Sequence, residues 1–431
     1  MTDSRRERIA IIAGLRTPFS KSGGAAQGLS ADDLGALVVR ELMTRCRFPA
    51  ADLDEIIVGN VSQPVDSANI ARIIGLKAGL PVNLIASTVH RNCASGMEAI
   101  STAGTKIRAG EATALLCVGT ESMSNIPLLF NRQMTGLFTR LMKSKTLGAK
   151  LGTWLSFRPS FLNPIIGVQL GLTDPVAGLN MGQTAEILAR EFHITRAAQD
   201  VFALDSHRKA VAAVERLREE LMVLPLPPRY ATMLSSDDGP RATQDLAALA
   251  KLKPYFDKVA GTVTVGNACP LTDGAGAVLV MGESRAKELG LTPVGFVRDW
   301  AYAALDGRRM GLGPVFATSK LLAKTGLSVQ DHDLIELNEA FAAQVLACTT
   351  AFASADFARK ELGRDAALGD IDPARLNVNG GAIALGHPVG ATGIRLVLTA
   401  LMELRRRKQH RALATLCIGG GQGAAFCLEA V

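Results

Sequence analysis

A cysteine in a segment of small residues is the first side chain that could do chemistry. Cys93 lies in Arg91-Asn-Cys-Ala-Ser-Gly-Met97, before a helix expected to begin near Ala94. The positive end of a helix dipole favours the thiolate form of a cysteine, which is the nucleophilic form. Small neighbours leave room for a substrate to reach the sulfur. A buried structural cysteine is the competing explanation when this segment is taken alone.

A histidine on a rigid turn could act as the base for such a thiol. His387 lies in Gly386-His-Pro-Val-Gly-Ala-Thr-Gly393. Pro388 restricts the backbone of the residue before it, so the imidazole is held in place, and the glycines allow the following helix to pack closely. A histidine presented in this way can accept the proton of a thiol. A turn histidine bonded to the backbone explains the segment equally well.

Two further segments stand where strands are expected to end. Cys417 opens Cys417-Ile-Gly-Gly-Gly-Gln-Gly423, whose glycines would let backbone N–H groups converge into an oxyanion hole. The run from Gly419 also matches G-x-G-x-x-A, but no βαβ unit and no acidic residue about 20 positions on follow it, so we expect no nucleotide site. Asn338 opens Asn338-Glu-Ala-Phe-Ala342 and could hold a water or a carbonyl, although ordinary capping also explains it.

The elements that must position these residues alternate between strand and helix patterns. Short apolar runs with strand character begin at Arg8, Asp54, Thr113, Ala277, Asp333 and Ala412. Stretches with helical periodicity begin at Leu34, Glu98, Thr184, Gln199 and Ile394. Strands alternating with helices predict an α/β architecture, with parallel or mixed sheets between helix layers.

The same order of motifs occurs twice along the chain. An acidic turn, a strand, a polar glycine-flanked turn, a helix and a strand follow one another from Phe48, and again from Leu327. This order predicts two similar halves related by a pseudo-twofold axis, with their equivalent turns facing one crevice. Cys93 would then approach His387 and Cys417.

These motifs, in this order, resemble those of the thiolase family, and the likeness runs nearly from end to end. Supporting stretches are Gly14-Leu-Arg-Thr-Pro-Phe19, Lys251-Leu-Lys-Pro-Tyr-Phe-Asp257, Gly261-Thr-Val-Thr-Val-Gly-Asn-Ala268 and Leu271-Thr-Asp-Gly-Ala275. The resemblance implies two α/β halves, each with a five-stranded mixed sheet layered between helices, and an inserted loop domain. We expect the N-terminal half at residues 1–122 and 250–290, the loop domain at 123–249, and the C-terminal half at 291–431.

The resemblance also implies a role for each site residue. Cys93 would be the acylated nucleophile, His387 its base, and Cys417 the acid/base at the α-carbon of the acetyl unit. His387 and a water on Asn338 would hold the enolate oxygen. The backbone N–H groups of Cys93 and Gly419 would hold the tetrahedral oxyanion.

The reaction implied is the cleavage of a 3-ketoacyl-CoA in fatty-acid β-oxidation, with coenzyme A as co-substrate and no permanently bound cofactor or metal. Arg241 matches a basic position of the family that contacts CoA. Ala248 and Cys269 stand where serines that contact CoA are expected. Two alternatives stay open: acetoacetyl-CoA thiolase, or a non-catalytic lipid-binding or scaffold relative.

Charge and cysteine usage bear on partners and location. No acidic residue occurs between Ser122 and Thr173, a stretch that holds six of the cations behind the net charge of +7. It resembles the longer loop of thiolases that are β-subunits of fatty-acid oxidation complexes. A hydratase/dehydrogenase α-subunit or an anionic membrane surface could contact residues 123–173, or the stretch could be a solvated helix pair over the acyl pocket.

Other expectations concern assembly and compartment. The resemblance leads us to expect a homodimer or homotetramer that binds acyl-CoA and CoA, and no nucleic acid. Seven scattered cysteines without C-x-x-C pairs favour a reducing compartment. The charged N-terminus and a first apolar run of one strand's length indicate neither a signal peptide nor a membrane span, so we expect a cytoplasmic protein.

Overall fold

The computed structural model describes residues 7–431, so the charged N-terminal segment discussed above lies outside the described residues. The predicted α/β architecture is confirmed. The strands are β1 (Ile9–Arg16), β2 (Ser20–Lys21), β3 (Glu55–Gly59), β4 (Ile85–Val89), β5 (Ala114–Ser122), β6 (Leu128–Leu129), β7 (Ile165–Ile166), β8 (Leu224–Leu226), β9 (Thr232–Leu234), β10 (Thr272–Gly282), β11 (Gly295–Ala304), β12 (Leu334–Leu337), β13 (Arg411–Ile418) and β14 (Gln422–Glu429).

The α-helices of the described residues fall between these strands. They are α1 (Ala31–Cys46), α2 (Ile70–Lys77), α3 (Ser95–Ala109), α4 (Arg132–Lys143), α5 (Leu147–Trp154), α6 (Gly167–Gly171), α7 (Met181–Glu191), α8 (Arg196–Ala212), α9 (Val214–Leu217), α10 (Leu246–Ala250), α11 (Glu283–Glu288), α12 (Gly313–Thr325), α13 (Ala342–Ala353), α14 (Ala355–Leu362), α15 (Ala382–Leu385) and α16 (Thr392–Arg407).

The long strands form one continuous mixed sheet in the order β12-β13-β14-β11-β1-β10-β5-β3-β4, with β2 attached to β10. The first half contributes β1, β10, β5, β3 and β4. The second half contributes β11, β14, β13 and β12. A single parallel bridge from Ile335 of β12 to Leu376 stands where a fifth strand would pair. The halves join where β1 and β11 pair antiparallel, from Ile9↔Val297 to Ile11↔Gly295. The order of the strands within each half matches, as the duplicated motifs predict.

Two equivalent helices, α3 and α16, pack against each other between the halves. Their apolar side chains share one core with strands of both halves. The helices approach closely because glycines face each other. A Cβ atom added at Gly393 would lie 2.3 Å from the backbone nitrogen of Met97, and one added at Gly96 would lie 2.8 Å from that of Ile394. Cys93 and His387 precede these two helices, so the crossing brings their turns to one place.

Residues 123–249 lie outside the main sheet and form short strands together with helices of up to 17 residues. The hairpin of α4 and α5 exposes apolar side chains, including Met142 at 88% and Leu147 at 89% exposure. Further along, α7 and α8 both pack against α13 of the second half. This stretch therefore combines a superficial hairpin with two helices that are part of the body of the molecule.

Candidate active site

The turn before α3 holds Cys93 in a constrained conformation. Asn92 has a φ of +43°, a left-handed conformation that asparagine tolerates better than most residues. The Ser95 hydroxyl donates to the carbonyl of Asn92 at 2.7 Å and accepts the N–H of Arg91 at 2.9 Å. The helix starts at Ser95, as expected from the sequence, and Cys93 stands just before its N-terminal end.

The glycine turn after β13 completes the surroundings of Cys93. Gly419 and Gly420 line the same pocket as Cys93, and the backbone N–H groups of Gly419 and of Cys93 itself lower the pKa of the Cys93 thiol. The Asn92 side chain also donates to the carbonyl of Gly419 at 2.7 Å, which fixes the turn against the nucleophile's loop. Cys417, two residues before this glycine, lies close enough for a charge on Cys93 to raise its pKa. Cys93 is therefore close to Cys417, as the duplicated motifs predict, whereas its approach to His387 stays a prediction.

The pKa of Cys93 is raised, whereas the helix dipole alone would lower it and favour the thiolate. Burial raises the pKa of the thiol above its ordinary value, and the nearby charge of Glu121 raises it further. The N–H groups of Gly419 and Cys93 lower the pKa, but by less. Burial outweighs the helix dipole because a charged sulfur loses its hydration here. The raised pKa favours a neutral thiol at Cys93 near pH 7.

His387 is held by two threonine hydroxyls. Its backbone N–H donates to the Thr272 hydroxyl at 3.0 Å, and its Nδ1 lies 2.6 Å from the Thr392 hydroxyl. Its Nε2 is buried and has no hydrogen-bond partner within residues 7–431. Burial, with the positive charge of Arg395, lowers the pKa of His387 to about 3. The imidazole is thus neutral near pH 7, with one nitrogen available.

Asn338 stands at the end of β12 with an unpaired side chain. The residue is fully buried, and its backbone N–H donates to the carbonyl of Thr415 at 3.0 Å, on the strand that leads to Cys417. Neither its side-chain oxygen nor its side-chain nitrogen has a partner among the described residues. Unpaired buried amides are costly. This amide therefore has both hydrogen-bonding groups free for a water or a substrate.

A pocket of about 810 Å³ opens beside the nucleophile. Cys93, Gly419 and Gly420 lie on one wall, and residues 168–177 form much of another. The larger apolar side chains of the whole lining are Val61, Met123, Ile126, Val168, Leu170, Leu172, Val176, Met181 and Val389. His387, Cys417 and Asn338 are buried and are not on its lining. The pocket gives an apolar chain access to the sulfur of Cys93.

The three positions expected to contact CoA lie in different surroundings. Cys269 is near the nucleophile: the charge of Cys93 adds to the burial that raises the pKa of Cys269 to about 12. Its backbone N–H donates to the carbonyl of Ala340 at 3.0 Å. Arg241 and Ala248 are exposed and are not on the lining of the pocket beside Cys93.

Reasoning from the sequence missed several residues that hold the site together. Glu121 is buried, and it accepts the backbone N–H groups of Val61, Ser62 and Gly390 at 2.9–3.1 Å. It thereby ties the loop of His387 to a wall of the pocket. Burial raises the pKa of Glu121 to about 7. In the sequence, the apolar run that ends at Glu121 and Ser122 is simply a strand pattern. The one sign of a role for Glu121 is that a carboxylate stands at the end of this strand.

A thiol beside a glycine turn, near a second thiol and on an apolar pocket, defines a cysteine enzyme suited to acyl transfer. The Thiolase, N-terminal domain family matches residues 9–284, and the Thiolase, C-terminal domain family matches residues 291–430. The chain therefore belongs to the thiolase family.

Individual relatives agree with this assignment. A 3-ketoacyl-CoA thiolase of Pseudoalteromonas translucida is 42% identical over 98% of this chain and 97% of the relative. A 3-ketoacyl-CoA thiolase of Aeromonas salmonicida is 42% identical over 100% of this chain and 98% of the relative. The acetyl-CoA acetyltransferase structure of Bacillus anthracis has a TM-score of 0.85 at 34% identity and covers 99% of both chains. The structure of human mitochondrial 3-ketoacyl-CoA thiolase in complex with CoA has a TM-score of 0.84 at 33% identity, over 99% of this chain and 98% of that one.

No group of three or more His, Cys, Asp or Glu side chains within residues 7–431 could hold a metal ion. In the same range, no helix is long and apolar enough to cross a membrane.

Proposed function

We propose that the chain is a 3-ketoacyl-CoA thiolase that cleaves 3-ketoacyl-CoA with CoA into acetyl-CoA and a shortened acyl-CoA in fatty-acid β-oxidation. The observation that carries this proposal is that Cys93 and the glycine turn at Gly419 line one pocket and are joined by the 2.7 Å hydrogen bond from Asn92 to the Gly419 carbonyl. Cys417 lies two residues before Gly419, close enough for a charge on Cys93 to raise its pKa. The names of the relatives at 42% identity support the substrate class.

In the first step, the Cys93 sulfur attacks the 3-keto carbon while His387 takes the thiol proton. The proton is transferred together with bond formation because the pKa of Cys93 is raised and that of His387 is lowered. Negative charge develops on the carbonyl oxygen as the thiol loses its proton. The N–H groups of Cys93 and Gly419 stabilise that oxyanion, and one such donor typically contributes about 10²–10³ in rate.

In the second step, the bond between the α-carbon and the former keto carbon breaks, and acetyl-CoA leaves as an enolate. The Cys417 thiol protonates the α-carbon. Its pKa lies well above the ordinary value because of burial, so it holds the proton to be donated. The unpaired amide of Asn338 holds a water at the enolate oxygen, together with His387. A second CoA then takes the acyl group from Cys93, and synthesis runs these steps in reverse.

CoA enters this scheme as a co-substrate. We place its thiol end near Cys269, beside Cys93, and its nucleotide end towards the exposed Arg241 and Ala248. A groove of about 680 Å³ between α8 and the start of α10, lined by Phe202, Asp205 and Arg208, lies next to Ala248 and supports this direction.

Acetoacetyl-CoA thiolase activity is the second candidate, and the similarity to the acetyl-CoA acetyltransferase of Bacillus anthracis favours it. The apolar pocket of about 810 Å³ favours longer acyl chains instead. A kinetic series of 3-ketoacyl-CoA substrates of increasing length separates the two. Activity confined to acetoacetyl-CoA would exclude the first candidate.

The test of the function itself is covalent trapping. Incubation with acetyl-CoA, followed by mass spectrometry of the peptide containing Cys93, should show an acetyl group on that residue, and Cys93→Ala should show neither the adduct nor turnover. An unmodified Cys93 in the folded protein would favour the non-catalytic scaffold.

The assembly we propose is a homodimer or homotetramer in the cytoplasm. The edge strand β4 supports self-association, because its outer side is unpaired and Ile85 is 61% exposed. Seven free thiols suit a reducing compartment. We also propose that residues 123–173 contact an anionic membrane or a hydratase/dehydrogenase α-subunit. None of the six cations of this stretch pairs with a described carboxylate.

A further inference from the structure

Thr392 stands directly behind the imidazole of His387, on the side away from the unpaired nitrogen. Its hydroxyl oxygen lies 2.6 Å from Nδ1 of His387 and 3.0 Å from the carbonyl oxygen of Pro388. A carbonyl oxygen can only accept, whereas a hydroxyl has one hydrogen to give and two lone pairs. If the hydroxyl donates to Pro388, it accepts from Nδ1, and the imidazole proton is then on Nδ1.

The opposite arrangement would leave a poorer hydrogen-bond pattern. With the hydroxyl donating to Nδ1, the imidazole proton would be on Nε2. That N–H would be buried without a partner, since Nε2 contacts no acceptor among the described residues. Buried N–H groups without acceptors are rarer in proteins than buried lone pairs without donors. A proton on Nε2 would also block the nitrogen that must take the proton of Cys93.

We propose that Thr392 is a positioning residue that fixes the Nδ1–H tautomer of His387 and so keeps Nε2 ready to accept the Cys93 proton. This inference rests on the proposed role of His387 as the base. It assigns a reason for a threonine at the first residue of α16, where the side chain reaches back to Pro388. The hydroxyl also stabilises the imidazolium that forms during attack, because Nδ1 then still donates to it.

The backbone of His387 is held by the same kind of contact. The Thr272 hydroxyl accepts the N–H of His387 and gives its own hydrogen to the carbonyl of Pro270 at 2.7 Å. Thr392 thus sets which ring nitrogen carries the proton, and Thr272 sets where the residue lies.

The variants that test this proposal are Thr392→Val, which keeps the shape and loses the acceptor, and Thr392→Ser, which keeps the hydroxyl. Thr399→Val is the matched control. Thr399 lies on the same helix and is equally buried, and its hydroxyl donates to Glu220 at 2.9 Å, away from His387. We expect Thr392→Val to slow acetylation of Cys93 on the order of 10²-fold, the lower range for loss of general-base catalysis. Thr392→Ser should acetylate Cys93 at a rate within about threefold of the wild type. Thr399→Val should do so at a rate near that of the wild type.

The tautomer itself is read by nitrogen NMR of protein labelled in histidine, with the His387 signals identified by their loss in His387→Gln. The wild type should carry the proton on Nδ1, and Thr392→Val should gain Nε2–H. A wild-type proton on Nε2 would overturn the proposal even if Thr392→Val does not fold. The proposal would also be overturned if Thr392→Val acetylated Cys93 at the wild-type rate, or if Thr392→Val and Thr399→Val lost the same fraction of that rate. Failure of the wild type to acetylate would instead refute the proposed function, while the NMR result would still report the tautomer.

Discussion

At the scale of single residues, the proposed nucleophile Cys93 and the proposed base His387 both favour their uncharged forms. Burial raises the pKa of Cys93 and lowers that of His387, so neither favours its charged form. Charge separation therefore becomes favourable only when a substrate oxyanion forms under the N–H groups of Cys93 and Gly419. This protects the thiol from unproductive reactions when no substrate is bound, because the thiolate is the reactive form.

The protonation state of Cys93 can be followed by alkylation. Iodoacetamide reacts with the thiolate, and the raised pKa keeps the thiolate fraction small and growing with pH. The rate of Cys93 modification, followed by peptide mass spectrometry, should rise about tenfold per pH unit between about pH 7 and about pH 9 without reaching a plateau. A plateau near neutral pH would show that the thiolate already exists in the free protein. Cys93→Ser identifies the modified peptide.

The sequence pointed to the reactive residues but not to those that hold them. Cys93, His387 and Cys417 stand in short segments rich in glycine and small residues, which are visible without a structure. Glu121 and Thr272 act on the loop of His387 from positions more than 100 residues away. Such contacts depend on the crossing of the halves, and neither residue type nor local spacing indicates them.

At the scale of elements, the close packing of α3 and α16 decides where the nucleophile and the base lie. Both helices begin within a few residues of a site residue, and glycines form the contact between them. The sequence predicted both helices from their periodicity, and it predicted that Gly390 and Gly393 allow close packing. It did not identify Met97 as the neighbour, because that contact joins two halves of the chain.

Gly393→Ala tests this contact. The new Cβ would clash with backbone rather than with a flexible side chain, so we expect a loss of at least about 1–3 kcal/mol in the free energy of unfolding, as for other overpacked cores. Acetylation of Cys93 should slow as well. Gly148→Ala is the control, because Gly148 is also the second residue of a helix, α5, and a Cβ there meets nothing within 4 Å. That control should be neutral or stabilising by up to about 1 kcal/mol, and equal denaturant curves for both variants would contradict the packing argument.

Several strands escaped the sequence reasoning for physical reasons. The strand β4 lies at the sheet edge and mixes polar with apolar residues, so it lacks a buried run. The strand β11 contains Arg298 and Asp299, which form ion pairs with Glu429 and Lys324. The strand β14 follows a glycine run and is built partly of alanine. All three differ from the buried apolar runs by which the other strands were recognised.

The hairpin of α4 and α5 carries its own prediction. Five cations without a described carboxylate partner and exposed apolar side chains fit an anionic lipid surface, where each lysine or arginine contributes about 1 kcal/mol. Trp154 is 51% exposed on this hairpin, so its fluorescence should shift to the blue on vesicles containing anionic lipid. The shift should be lost with uncharged lipid, with high salt, or in a variant with Lys143, Lys145 and Lys150 changed to glutamate. Trp154→Phe corrects for the signal of Trp300, and an unchanged spectrum would favour the α-subunit as partner.

At the scale of the whole molecule, the two halves each contribute part of one site. The first half provides Cys93 and the second provides His387, Asn338, Cys417 and the glycine turn. The repeated order of motifs predicted this arrangement, because equivalent turns of duplicated halves lie on the same side of the joined sheet. The division into an N-terminal half, a loop domain at 123–249 and a C-terminal half remains a proposal.

The central claim is that Cys93 carries the acyl group while Cys417 moves the proton of the α-carbon. Its most direct test is exchange of the α-hydrogens of acetyl-CoA in heavy water by Cys417→Ala, with acetylation of Cys93 measured in the same sample. We expect Cys417→Ala to become acetylated at Cys93, with exchange of the α-hydrogens slowed by about 10²–10⁴, as for loss of a general acid or base. Cys427→Ala removes a different buried thiol, which lies on β14. This control should keep both the acetylation of Cys93 and the exchange of the α-hydrogens. Exchange at the wild-type rate in Cys417→Ala would contradict the account.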